Sequence, residues 1–404
     1  MGVLQDAHTG RLSQRALEIQ ASPIRKLVPY AEEAKKRGIH VYHLNIGQPD
    51  IETPPEFWDA VKHYSQKVLA YGHSQGLAPY LKALSIYYQR CGIDVSPDEI
   101  VVTTGGSEAI VFAFSLICEP GEKIIVFEPF YTNYNGFATM ASIELLPLET
   151  RAADGFHLPS RHMIEAAIDD DVRGIMICNP NNPTGTLFSY EEMEMLADIA
   201  RQHGLFVLSD EVYREFVYEG VHTSIFDIPG VDDFAIMLDS ISKRYSACGA
   251  RIGSLVTRNR ALHQAAVKFG QARLCPPTLE QVGAEAALKL GPEYFEKVMG
   301  EYKRRRDIVY QGLMAIDGAV CVKPAGAFYA MAKLPISDSE EFAKFMLAEY
   351  SFDKKTVMVA PGPGFYASPG KGSDECRIAY VLNTDSLRDA MKILKLGVEA
   401  FNSR

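Results

Sequence analysis

A chain of 404 residues is too long for a single module and predicts two domains, or one large domain with a satellite. Its 47% hydrophobic and 23% charged residues are those of an ordinary folded protein, which excludes intrinsic disorder, coiled coil and collagen-like repeats. With 41 Lys+Arg against 51 Asp+Glu the formal charge is −10, which repels phosphate backbones and argues against nucleic acid as a partner.

The N-terminal MGVLQDAHTGRLSQ lacks the basic-then-apolar layout of a secretory signal, and Asp6 stands where a myristoylation motif at Gly2 needs Ser or Thr. No stretch approaches the ~18 uninterrupted apolar residues of a membrane span. The seven cysteines (Cys91, Cys118, Cys178, Cys248, Cys275, Cys321 and Cys376) form no C-x-x-C pair and no zinc-spaced cluster. They read as reduced thiols of a cytoplasmic protein with no metal and no membrane partner.

Pro23 predicts the start of a helix that runs through Lys36 and stops at Gly38. From about residue 98 to 260, apolar runs at 100–104, 123–128, 174–178, 205–209, 235–240 and 252–257 alternate with helix-like segments. Continuous hydrophobicity predicts strands buried on both faces, hence an α/β fold with a mostly parallel sheet covered by helices on both sides. One covering helix is legible in detail. Ser189 and Glu192 form a capping box, Met193, Leu196, Ala197 and Ala200 share a face, and Gly204 supplies the stop.

Beyond about residue 290 the pattern changes to a basic helical stretch followed by apolar runs at 328–334, 357–361 and 376–381. This predicts a smaller α+β domain to which the N-terminal segment returns. The expected division is a large cofactor-binding domain over 51–290 and a small domain formed by 1–50 and 291–404. Lys303-Arg304-Arg305-Arg306 reads as a solvated helix face, Pro361-Gly362-Pro363-Gly364-Phe365 as a structural turn, and His43 and His73 as packing or surface histidines.

Ligands of an open α/β sheet sit beyond the carboxyl ends of its strands. The unusual residues of this chain fall there five times over: Gly105-Gly106-Ser107-Glu108, Glu128-Pro129-Phe130-Tyr131, Asn179 to Gly185, Asp210-Glu211-Val212-Tyr213 and Ser240-Ile241-Ser242-Lys243. The glycine turn at 105–106 leads into an apolar helix, so its free N–H groups suit a phosphate, though close strand–helix packing would explain the glycines equally. Lys243 stands among small residues with Arg251 eight positions on, an amine able to form a Schiff base beside a cation able to hold a phosphate. A lysine-held carbonyl compound that carries a phosphate describes pyridoxal phosphate, which also needs a buried carboxylate at its ring nitrogen. Asp210 suits that place, with a helix N-cap as its ordinary alternative.

On these motifs, together with Leu44 to Asp50, Asn182-Pro183-Thr184-Gly185 and Arg377, the chain resembles the class I/II pyridoxal-phosphate aminotransferases of fold type I. The segment from Ser240 to Gly253 matches the family's lysine-attachment pattern at every constrained position. The resemblance implies an EC 2.6.1 transferase acting on an amino acid and a 2-oxo acid, with pyridoxal 5'-phosphate as cofactor. It implies that Lys243 carries the cofactor and moves the proton, that Asp210 pairs with the ring nitrogen, and that Tyr213 and Asn182 bind the phenolic oxygen. The Gly106, Ser107 and Glu108 backbone with Ser240 and Arg251 would hold the phosphate, and Tyr131 would stack on the ring unless it is a core aromatic. Arg377, with Gly47 and Asn182, would bind the substrate. Tyr71 would reach the phosphate of a neighbouring subunit, which implies a homodimer.

The nearest rival keeps the cofactor and ends in elimination, as in carbon–sulfur lyases of the same fold. A ligand-sensing regulator would carry an attached DNA-binding module, and only about twenty residues precede Pro23. A dehydrogenase explains neither Lys243 nor Asp210. Substrate side-chain preference stays open, because no Lys or Arg follows Glu108 through Cys118.

Overall fold

Residues 11–20 and 25–404 are described by the computed structural model, so Gly2, Asp6 and Pro23 lie outside the described residues. After a helix over Val28–Lys36 comes strand β1 (His40–His43). The central sheet follows, with β2 (Ile100–Thr104), β3 (Lys123–Glu128), β4 (Glu144–Glu149), β5 (Val172–Cys178), β6 (Phe206–Asp210), β7 (Ala235–Ser240) and β8 (Ile252–Val256). The order is β2-β8-β7-β6-β5-β3-β4, and every strand runs in the same direction except β8, which is antiparallel to both neighbours.

Side chains alternate across a strand, and here each alternate set meets its own core. Ile125, Phe127, Ile175, Ile177, Val207 and Met237 point to one side, where the helices Ala78–Arg90, Tyr190–His203 and Thr278–Ala287 cover them. Ile124, Val126, Met176, Leu208, Ile236 and Leu238 point to the other, under the helix Gly105–Ile117. Two buried faces explain why the runs are continuous. The helix Tyr190–His203 carries both capping-box bonds, and Gly204 closes it at φ 66°. Strand β4 is an edge strand that the apolar runs do not reveal: its Pro147 pairs in register opposite Val126, as an edge position tolerates.

A smaller unit carries an antiparallel sheet of order β12-β13-β10-β9, formed by Ala360–Pro361, Glu375–Ala379, Tyr329–Lys333 and Val320–Cys321. Strand β11 (Lys355–Met358) pairs in parallel with β1, so the N-terminal segment does come back to this part of the chain. Leu27, Val41 and Leu44 share a core there with Val309, Phe342, Val357 and Leu394.

The basic run at 303–306 is not a solvated face. Lys303 and Arg304 are exposed, but Arg305 and Arg306 are buried on the inner side of the helix Pro292–Met314, beside Tyr302 and Val309. Each finds partners remote in sequence, which is why the run misleads. Arg305 pairs with Asp50 at 2.5 Å and Glu301 at 2.9 Å and donates to the Val381 carbonyl. Arg306 pairs with Glu219 at 3.0 Å and Asp307 at 2.9 Å and donates to the Pro324 carbonyl.

Candidate active site

Because the six codirectional strands end together, the polar segments after β2, β3, β5, β6 and β7 meet at one rim. At β2 the chain turns into the helix Gly105–Ile117 through Gly105, whose φ of +75° and contact with the Arg251 guanidinium leave no room for a Cβ. Gly253 lies directly against the Gly105–Gly106 backbone. These close approaches place the unpaired N–H groups of a 13-residue helix beside Arg251 and the Ser240 hydroxyl, a ready anion cradle. Ser240 Oγ lies 2.8 Å from Ser242 Oγ and donates to the Ile252 carbonyl, which fixes its orientation.

Lys243 sits on the short helix Ile241–Arg244 that follows β7. Its Nζ donates to the Gly47 carbonyl at 2.7 Å and lies 3.8 Å from Cys248 Sγ. Burial lowers the pKa of this ammonium, with the Arg377 and Arg251 charges acting in the same direction and Cys248 opposing them. Asp210 closes β6 as a buried carboxylate. Burial pushes its pKa up to about 6, against hydrogen bonds from Tyr134 Oη at 2.8 Å and Val212 N at 3.3 Å. Tyr213 is buried, and its hydroxyl lies 3.4 Å from Asn182 Nδ2 and 2.9 Å from Tyr329 Oη.

Arg377, on β13, is buried and its guanidinium lies over the rings of Tyr329 at 4.4 Å and Phe365 at 4.8 Å. It donates to Asn182 Oδ1 at 3.0 Å and the Asn45 carbonyl at 2.6 Å, while its Nε and both side-chain polar atoms of Asn45 have no protein partner. Unpaired buried donors are costly unless a ligand satisfies them.

Lys243, Asp210, Tyr213, Asn182 and Arg377 line one cavity of about 540 Å³. Gly47, Gly106, Ser107, Tyr131, Ser240 and Arg251 share its wall. Glu108, expected to act through its backbone, and Tyr71, expected at the neighbouring subunit's site, are not in that wall. The Glu108 carboxylate accepts from Thr104 N and pairs with Arg273 at 3.0 Å, and Tyr71 is 81% exposed. His43 and His73 are also outside the cavity wall. Sequence reasoning missed Tyr134, Tyr329 and the side chain of Cys248. Of these only Cys248, set in the small-residue stretch after Lys243, had a local signal; the two tyrosines arrive through tertiary packing.

A mostly parallel sheet thus brings an amine, a buried carboxylate and an anion cradle together at its carboxyl rim, the arrangement of an α/β enzyme. The family described as aminotransferase class I and II matches residues 39–394, and the chain belongs to that family. It is 30% identical to an aspartate/prephenate aminotransferase of Thermus thermophilus, over 94% of this chain and 97% of that protein. It is 28% identical to an aspartate aminotransferase of Bacillus subtilis, over 96% and 99%. Among solved structures, an alanine aminotransferase from Pyrococcus furiosus superposes with a TM-score of 0.88 at 31% identity, covering 96% of this chain and 100% of that one. An aspartate aminotransferase from Thermotoga maritima does so with the same TM-score at 28% identity and the same coverage. The fold is therefore that of the aspartate aminotransferases, a large mixed sheet with helices and a smaller unit with an antiparallel sheet.

Proposed function

We propose that the chain is a pyridoxal-phosphate-dependent aminotransferase that moves an amino group between an L-amino acid and a 2-oxo acid. The observation that carries this reading is the single cavity that Lys243, Asp210, Arg251 and Arg377 all line. The residues fit the cofactor: the cradle that excludes a Cβ at Gly105 suits its phosphate, with Gly106, Ser107, Ser240 and Arg251 as donors, and a carboxylate kept in a dry site suits a ring N–H. Tyr213 and Asn182 would hold its phenolic oxygen and Tyr131 its face. Bound there, pyridoxal phosphate would supply an aldehyde for an incoming amine and a ring that draws electrons from the substrate's α-carbon.

The chain's own groups supply the rest. Lys243 Nζ, with its proton affinity lowered, is the group that takes and returns a proton beside the cavity. Arg377, fixed by Asn182 and the Asn45 carbonyl, presents a buried guanidinium to a substrate carboxylate and so sets the orientation of the α-carbon. Tyr71 stands outside its own cavity and exposed, which supports a homodimer in which it serves the neighbouring site. Two cores draw all their buried residues from 57–288 and a third draws most of its own from 27–44 and 298–398, with Cys178, Tyr213, Phe216 and Tyr218 joining it, which supports the division into 51–290 and 1–50 with 291–404. All seven cysteines are free thiols, which supports a cytoplasmic location. Related proteins carry the names of aspartate, prephenate and alanine aminotransferases, so the preferred side chain is to be read from a substrate panel.

The test is to mix the purified protein, loaded with pyridoxal phosphate, with L-amino acids and follow the visible spectrum. A change reversed by a 2-oxo acid, without net release of ammonia, is the expected result. Steady release of ammonia with pyruvate would contradict it and favour elimination.

A further inference from the structure

Tyr213 and Tyr329 are both buried, and their hydroxyl oxygens lie 2.9 Å apart. A phenol has one proton to give and two lone pairs to accept with. One lone pair of Tyr213 is assigned by its neighbours. Arg377 can only donate, so Asn182 must turn Oδ1 to it, and Asn182 Nδ2 then faces Tyr213 as a donor at 3.4 Å. The direction of the tyrosine pair follows from Arg377 as well. Its guanidinium lies over the Tyr329 ring at 4.4 Å, and a cation on the ring face draws electron density from the phenol, making Tyr329 the stronger donor.

We propose that Tyr329 is a positioning residue that donates to Tyr213, fills its second lone pair, and so leaves the Tyr213 proton pointing into the cavity at the cofactor's phenolic oxygen. The inference rests on the cofactor reading above. It also accounts for Gly47, since a Cβ there would overlap the Tyr329 hydroxyl. Gly47 makes room for this hydroxyl while its carbonyl accepts from Lys243 Nζ. The other titratable and charged groups facing the pair are Tyr131 and Cys178 around Tyr213, and Arg377, Tyr131 and Cys248 around Tyr329, while Cys248, Arg377 and Arg251 face Lys243.

A donor at the phenolic oxygen draws negative charge away from the neighbouring lysine-linked nitrogen and lowers its affinity for a proton. The holoenzymes of the wild type, Tyr329→Phe, Tyr213→Phe and the double variant are therefore titrated by their visible absorbance. Tyr329→Phe is expected to raise the pH midpoint by up to about one unit, a hydrogen bond's worth. Tyr213→Phe is expected to raise it at least as far, and the double variant no further than Tyr213→Phe, because one residue acts through the other. Gly47→Ala, which displaces the same hydroxyl, is expected to reproduce the direction of the Tyr329→Phe shift. The dissociation constant of a 2-oxo acid for Tyr329→Phe should stay within about twofold, because the ring on Arg377 is kept. An unmoved midpoint in Tyr329→Phe, or shifts that add in the double variant, would overturn the proposal while leaving the cofactor reading intact. A wild type that takes up no pyridoxal phosphate overturns both.

Discussion

The Tyr134 hydroxyl donates to Asp210 across 2.8 Å, tying the helix Asn133–Ala141 to the end of β6, where Asp210 lines the cavity. Among the described residues only Val212 N, at 3.3 Å, donates to the other oxygen. Tyr134→Phe keeps the ring stacked near Phe130 and removes one donor to a charged acceptor. A hydrogen bond to a charged group contributes about 1.5–3 kcal/mol, so turnover, measured where the variant stays folded, is expected to fall by at least about tenfold beside only a modest drop in melting temperature. Steady-state rates beside a thermal melt check this; equal losses in both would mean that Tyr134 serves only the core.

The carboxyl of Asp210 is raised by burial from 3.8 to about 6, and the sign of its effect on stability follows. Below pH 4 it is protonated whether the chain is folded or not. Between pH 4 and 6 the unfolded chain gives up this proton and the folded one keeps it, so the folded state loses stability as pH rises; above pH 6 the penalty is constant. For the cofactor-free protein, urea unfolding at a series of pH values should show wild type falling relative to Asp210→Asn across that window. The change in their difference should reach up to about 3 kcal/mol. A difference that does not vary between pH 4 and 7 would contradict the burial of this carboxyl.

Arg377 makes its contacts through two nitrogens, one to Asn182 and one to the Asn45 carbonyl, and offers a flat guanidinium to the cavity. Lysine keeps the charge and loses the fork. Arg377→Lys is expected to raise KM for both the amino acid and the 2-oxo acid by about 10- to 100-fold, while pyridoxal phosphate binding is unchanged. Initial-rate kinetics and a cofactor titration separate the two effects, and a loss of cofactor affinity alone would place Arg377 in the wrong role.

Arg306 is a structural charge. It is buried against the Tyr218 ring at 5.1 Å and reaches Glu219, Asp307 and the Pro324 carbonyl. Arg306→Ala removes packing and leaves that carbonyl without its donor, so a destabilisation of about 3 kcal/mol is expected by denaturant unfolding. A change of less than about 0.5 kcal/mol would restore the solvated-face reading.

The residues that could be read from sequence are those whose role is written into a local pattern. Ile124 to Phe127 are apolar on both faces because both faces are covered, Asp210 stands out because it closes an apolar run at a strand end, and Lys243 because it follows one among small residues. What could not be read depends on pairing. Nothing in Ile252 to Val256 says that β8 runs against its neighbours, because hydrophobicity carries no direction. Pro147 hides β4, which survives only because it is an edge. Tyr134 and Tyr329 are 76 and 116 residues from the side chains they hold, and Arg305 reaches Asp50 across 255. A tyrosine or arginine of that kind looks like any other until the chain is folded.

The most direct measurement is to load the protein with pyridoxal phosphate, reduce it with borohydride, digest it and locate the modified lysine by mass spectrometry. The phosphopyridoxyl group is expected on the peptide bearing Lys243 and on no other, and is expected to disappear in Lys243→Ala. A label on a different lysine, or no label in protein shown to have taken up the cofactor, would contradict the role of Lys243.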